Sequence, residues 1–133
     1  MLTRLIAAAG LALIAILPSA CQSPRDAARA EPLAGTWILT QDGAEQARLV
    51  IGADGRFHVD LLRESGIEAE GDVQIDGDRV TFINTRGTDP IASDPAPGTY
   101  TFVIAHNQVR FERVADSISR RARLLSRPWS RAD

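Results

Sequence analysis

From Leu33 to Glu112 apolar and polar residues alternate with period two, run after run, and this restricts the chain to an antiparallel sheet with one buried face. Trp37 and Leu39 alternate with Thr36, Ile38 and Thr40; Leu49 and Ile51 alternate with Arg48 and Val50. Phe57, Val59 and Leu61 follow, then Val73 and Ile75, Val80 and Phe82, Tyr100, Phe102 and Ile104, and Val109 and Phe111. The breaks carry turn chemistry. Asp42-Gly43, Asp54-Gly55 and Asp76-Gly77 are hairpin dipeptides in which glycine accepts positive φ, and His106-Asn107 makes a fourth tight connection. Thr85 to Gly98, with three prolines, is one long loop. A helix is predicted near Ser117–Ser126, capped by Asp116 or Ser117, with Ile118, Ala122 and Leu125 on one stripe and Pro128 ending it. The expected architecture is all-β: a small antiparallel up-and-down barrel of about seven or eight strands with one C-terminal helix. An open sandwich is the alternative.

The N-terminus has a different grammar. Arg4 is a positive n-region, Leu5 to Leu17 an apolar h-region, and Pro18-Ser19-Ala20 are small residues before Cys21, the order of a cleavable secretory signal. The apolar run is too short to cross a bilayer, which takes about 20 residues. Leu17-Pro18-Ser19-Ala20-Cys21 resembles the bacterial lipoprotein signal. That resemblance implies acylation of the Cys21 thiol, a mature chain beginning there, and attachment to a membrane of the cell envelope. Gln22 after the cysteine resembles outer-membrane rather than inner-membrane lipoproteins. Cleavage after Ala20 to give a soluble periplasmic protein is the alternative. Residues 1–20 are then a signal peptide, 21–32 a lipidated N-terminus and polar, proline-bracketed tether, and 33–133 one β domain. The eleven residues from Gln22 to Pro32 reach at most about 36–40 Å, which holds the domain near the membrane surface.

Composition removes several function classes. A chain with 44 % hydrophobic and 24 % charged residues and a net charge of −2 is globular and lacks the basic balance of a nucleic-acid binder. All 15 basic residues are arginine, and seven of them fall between Arg110 and Arg131, whereas acids dominate from Asp54 to Asp94. Such blocks mark either an interaction surface or solvated faces. His58 and His106 have no partners at metal-ligand spacing, and a structural zinc site needs four ligands. Cys21 has no histidine partner for nucleophilic chemistry, the serines lack an elbow motif, and no glycine loop precedes a helix to cradle phosphate. The expectation is a non-catalytic protein without cofactor or metal.

Gly35-Thr36-Trp37, opening the first strand, resembles the first structural motif of the lipocalins and wider calycin barrels. The later series is similar to small lipocalin-like bacterial domains: Asp-Gly-Arg-Phe, then Gly-Asp-Val-Gln-Ile-Asp-Gly-Asp-Arg-Val-Thr-Phe, then Gly-Thr-Tyr-Thr-Phe and an Asp- and Arg-containing helix. The resemblance spans Leu33 to Trp129. It implies that Trp37 plugs one end of a barrel and that an arginine from late in the chain packs across its ring, with Arg121 the first candidate and Arg113 the second. It also implies a cup for a small apolar or amphipathic ligand, lined by some of Phe57, Val59, Phe82, Tyr100 and Phe102. The competing expectation is a solid barrel that docks an envelope protein or polymer through a loop or its arginine-rich face. The mostly large core residues lean toward a filled interior.

Overall fold

The computed structural model describes residues 30–63 and 66–132. The leader, Cys21 and the tether up to Arg29 lie outside the described residues. Eight strands, β1 (Gly35–Gln41), β2 (Ala44–Ile51), β3 (Arg56–Leu61), β4 (Ile67–Asp76), β5 (Arg79–Gly87), β6 (Gly98–Ala105), β7 (Gln108–Ala115) and β8 (Trp129–Arg131), form one closed antiparallel barrel in sequence order. A single helix, α1 (Ser119–Leu125), lies between β7 and β8. The period-two pattern is the cause. Leu49 stands opposite Val59 and Trp37, and Ile51 opposite Phe57, so inward side chains of neighbouring strands meet around the barrel. Each such side chain removed from water contributes about 1.5–3 kcal/mol.

Alternating strand direction sorts the connections into two ends. At one end lie the short turns after β2, β4 and β6, the last built on His106 and Asn107 with φ of 52° and 60°. That end is closed. A 3-10 turn, Glu31–Leu33, precedes β1 there, and the Trp37 indole Nε1 donates to the Leu33 carbonyl at 2.8 Å. The folded chain therefore starts before the expected boundary at residue 33: Ala30 is 2 % exposed and packs into the core. At the other end lie the Asp42-Gly43 turn, the β3–β4 connection, the 88–97 loop and the start of α1. Helix α1 carries the chain from this open end back along β7 to β8.

Three features depart from the expectations. Strand β8 was not anticipated; it holds three residues, too few to show a period, yet it closes the barrel by pairing with Trp37 and Ile38 on one side and Gln108 and Val109 on the other. Strand β4 begins at Ile67, before the expected apolar pair Val73 and Ile75. Its first half, with Glu68 and Glu70, reads as a polar stretch. Helix α1 is shorter than expected, and its N-cap position falls on Ile118, which has no capping side chain, rather than on Asp116 or Ser117; Asp116 Oδ1 accepts the Ile118 amide at 2.8 Å.

Candidate ligand cavity at the open end

The centre of the barrel is solid. Phe82 stands edge-on to Phe57, Tyr100 and Phe111 at centroid separations of 5.2, 6.1 and 5.8 Å, which fills the interior from mid-height toward the closed end. Above Phe57 and Phe82 the inward side chains become shorter, and a cavity of about 260 Å³ opens. Its walls are Leu49, Val59, Leu61 and Ala69 from strands β2 to β4. Its roof is Ile118, Leu124 and Leu125 of α1 and its flanks, with Ile91 and Ala92 from the 88–97 loop. The polar lining is confined to Glu68, Asn84, Arg120, Arg121, Arg123 and Arg127.

The roof is fastened by a buried polar cluster. Arg121, 8 % exposed, donates through Nε and Nη2 to the two oxygens of Asp116 at 2.7 and 2.8 Å, a bidentate pair. Its Nη2 also reaches the Ala96 carbonyl at 2.7 Å, and its Nη1 reaches Asn84 Oδ1 at 3.2 Å. Asn84 in turn donates to the Ala92 carbonyl at 2.9 Å. One guanidinium thus ties α1 to β5, to the loop and to the end of β7. Gly98 is required beside it, because a Cβ there would stand 2.4 Å from Asp116 Oδ2. Next to it, Arg120 bridges Glu68 of β4 at 2.6 Å and Asp89 of the loop at 2.8 Å. The Glu68 carboxylate, 5 % exposed, also accepts the Thr88 hydroxyl at 3.1 Å. The Ala92 amide, more than Arg120, holds the Asp89 carboxyl below its usual value.

The Asp116 cluster has a titration signature. Burial pushes the Asp116 carboxyl up, but hydrogen bonds from Arg121, Tyr100 and the Ile118 amide together outweigh it and leave the group below the ordinary carboxylate range. Burial first, then the Asp116 charge accepting its hydroxyl proton, drives Tyr100 the other way, well above the usual phenol value. Asp116 therefore adds stability above about pH 4 that is lost as the pH falls through its lowered folded value. Tyr100 adds stability that is whole below about pH 10 and is lost as the pH rises above that. Tyr100 is the chain's only tyrosine, so phenolate absorbance reads it directly. The expected titration shows no phenolate at pH 10 in the folded protein. Half-ionisation there would mean that the Tyr100–Asp116 bond is absent.

The cavity gathers three of the five residues expected to line a cup, Phe57, Val59 and Phe82. Tyr100 is fully buried beneath it. Phe102 instead borders a second concavity of about 510 Å³, between the β6–β7 hairpin and the Ser126–Pro128 connection. Two strands and one connection flank that groove without surrounding it, and Val103 on its edge is 67 % exposed, so it is a surface feature.

The arginine over Trp37 is neither Arg121 nor Arg113. It is Arg131, with its Cζ 4.3 Å from the ring centroid and its Nη1 donating to the Ala34 carbonyl at 2.9 Å. Register explains the substitution: β8 sets Arg131 directly opposite Trp37, while Arg121 is on the helix at the other end. The same contact accounts for Gly35, which has φ of 130° and whose Cβ would lie 2.8 Å from Arg131 Nη1. Arg113 is exposed on β7. His58 lies on β3 and His106 in the β6–β7 turn. Among the described residues no group of three His, Cys, Asp or Glu side chains is placed to hold a metal ion.

Sequence reasoning missed Glu68, Asn84, Arg120, Arg123 and Arg127 as cavity residues. For the arginines a signal existed: positions 120, 123, 124 and 127 share one helical stripe next to the apolar one. No protein-family model and no curated protein sequence matches this chain.

Proposed function

We propose that this protein is a non-catalytic binding module of the bacterial cell envelope, which holds a small apolar or amphipathic ligand in the open-end cavity. The observation that carries this reading is a cavity of about 260 Å³ with apolar walls and a polar rim at one end of an otherwise solid barrel. Its placement in the envelope rests on the leader and on acylation of Cys21, the role for which the N-terminal sequence offers a mechanism. A lipid on Cys21 and a short tether would keep the domain at the membrane surface, where amphipathic molecules concentrate.

Titration with n-octanol, followed by amide shifts in NMR, tests the binding role. Saturable shifts are expected at Leu61, Ala69, Ala92 and Leu124, with Gly55 and Gly77 at the closed end unmoved. The indole of Trp37 is at the closed end and is not the reporter. Absence of saturable shifts up to millimolar octanol would remove the binding role. In the same experiment, cell fractionation of the full chain and of Cys21→Ser is expected to place only the former in membranes while both bind octanol. A Cys21→Ser chain that fractionated with membranes at mature size would refute the anchor.

A further inference from the structure

We infer that the cavity selects a short anionic amphiphile, with a carboxylate-type head at Arg123 and Arg127 and an alkyl tail that ends on Phe82; this rests on the binding role proposed above. The argument for the head is a charge balance. Four arginines line the cavity, but Arg121 is neutralised by Asp116, and Arg120 by Glu68 and Asp89. The acid inside the cavity, Glu68, is thereby already matched by a cation. Arg127 donates to the neutral Gln41 at 3.1 Å, and Arg123 makes no ion pair or hydrogen bond with any described residue. Arg123, on the last turn of α1, and Arg127, two residues past its end, both line this cavity. Neither is paired with a carboxylate of any described residue, which leaves two positive charges where an amphiphile's head would emerge, and guanidinium groups bind carboxylates through paired N–H donors.

The argument for tail length is geometric. A cavity of 150 Å³ holds benzene, so one of about 260 Å³ takes roughly ten carbon atoms. Deeper entry is blocked by Phe82, whose far side is packed against Tyr100 and Phe111. Long-chain acyl groups are excluded by this aromatic floor and not by the width of the barrel.

Competitive titrations of the wild-type domain with n-octanol, octanoate, decanoate and palmitate test both parts. Octanoate and decanoate are expected to bind about tenfold more tightly than octanol, the order expected of a charge-assisted contact at a partly exposed site. Palmitate is expected to bind more weakly than decanoate. In Arg123→Gln/Arg127→Gln, two changes outside the core, the advantage of octanoate over octanol is expected to disappear. Phe82→Leu is expected to move the preferred carboxylate to a longer chain, and the wild-type chain-length series decides the ceiling even if that variant does not fold. Equal binding of octanol and octanoate would overturn the head-group assignment. Tightest binding by palmitate would overturn the floor. Binding of none of the four would instead refute the binding role itself.

Discussion

Arg121→Met should cost about 3–5 kcal/mol of folding stability, as expected when one member of a buried ion pair is removed. The side chain of Asp116 is 0 % exposed, and it would be left as a buried carboxylate with Tyr100 and the Ile118 amide as its remaining donors. The Ala96 carbonyl and Asn84 Oδ1 would each lose a donor as well. Methionine matches much of the arginine stem, so the loss reports the guanidinium and not a cavity. Urea unfolding is the measurement, with a lower midpoint at unchanged slope. Arg121→Lys should recover only part of the loss, because one ammonium cannot reproduce a bidentate contact and two further bonds in different directions. A decrease under about 1 kcal/mol for Arg121→Met would mean that the roof of the cavity is held by α1's apolar face alone. The Asp116→Asn chain provides the cross-check, since it should shift the acid limb of the stability profile as well as its height.

How far the sequence could be read follows from which physical rule governs each segment. Period two governs β1, β2, β3, β5 and β7, where one face meets the core and the other meets water, and those strands are legible from their apolar residues alone. The rule fails in β4, because Glu68, Ala69 and Gly71 are all buried there. A carboxylate inside a barrel is explained by Arg120, 52 positions away, and local pattern has no access to that partner. It fails again at Arg121, whose spacing from Ile118 and Leu125 puts a guanidinium on the apolar stripe of the helix, where only its pairing with Asp116 accounts for it. The arginine on Trp37 illustrates the same limit. Chain position offers several candidates, and only the register of a three-residue strand decides for Arg131. The cavity was half legible for a related reason. Inward positions on β3 and β5 identify Phe57, Val59 and Phe82, but whether a ring lines space or another ring depends on how far along the barrel it sits. Tyr100 points inward too, and is covered.

Gly71→Ala should be the most damaging single-methyl addition in the domain. The pairing of β4 with β5 shifts register between Glu70 and Gly71, and a Cβ at Gly71 would stand 1.9 Å from the Ile83 carbonyl oxygen and 2.9 Å from Asn84 Cα. Both are backbone atoms. No rotamer change relieves the clash, so the two strands must separate and the ladder from Ala69–Gly87 to Asp72–Ile83 must loosen. The displaced residue next along is Asn84, which holds both Arg121 and the Ala92 carbonyl. Strain at the bulge thus reaches the cavity roof through one side chain. A loss above about 4 kcal/mol is expected, in the range reserved for severe packing conflicts, with Tm lower by on the order of 15 °C or more. Gly43→Ala separates this from the general penalty of replacing a glycine. Its φ is 76° and no atom lies within 4 Å of the added Cβ, so its cost is left-handed backbone strain alone, about 1–2 kcal/mol. A Gly71→Ala protein melting as close to wild type as Gly43→Ala would show that β4 and β5 can part without cost. The barrel would then owe its closure to β8 and α1 rather than to the contact of β4 with β5.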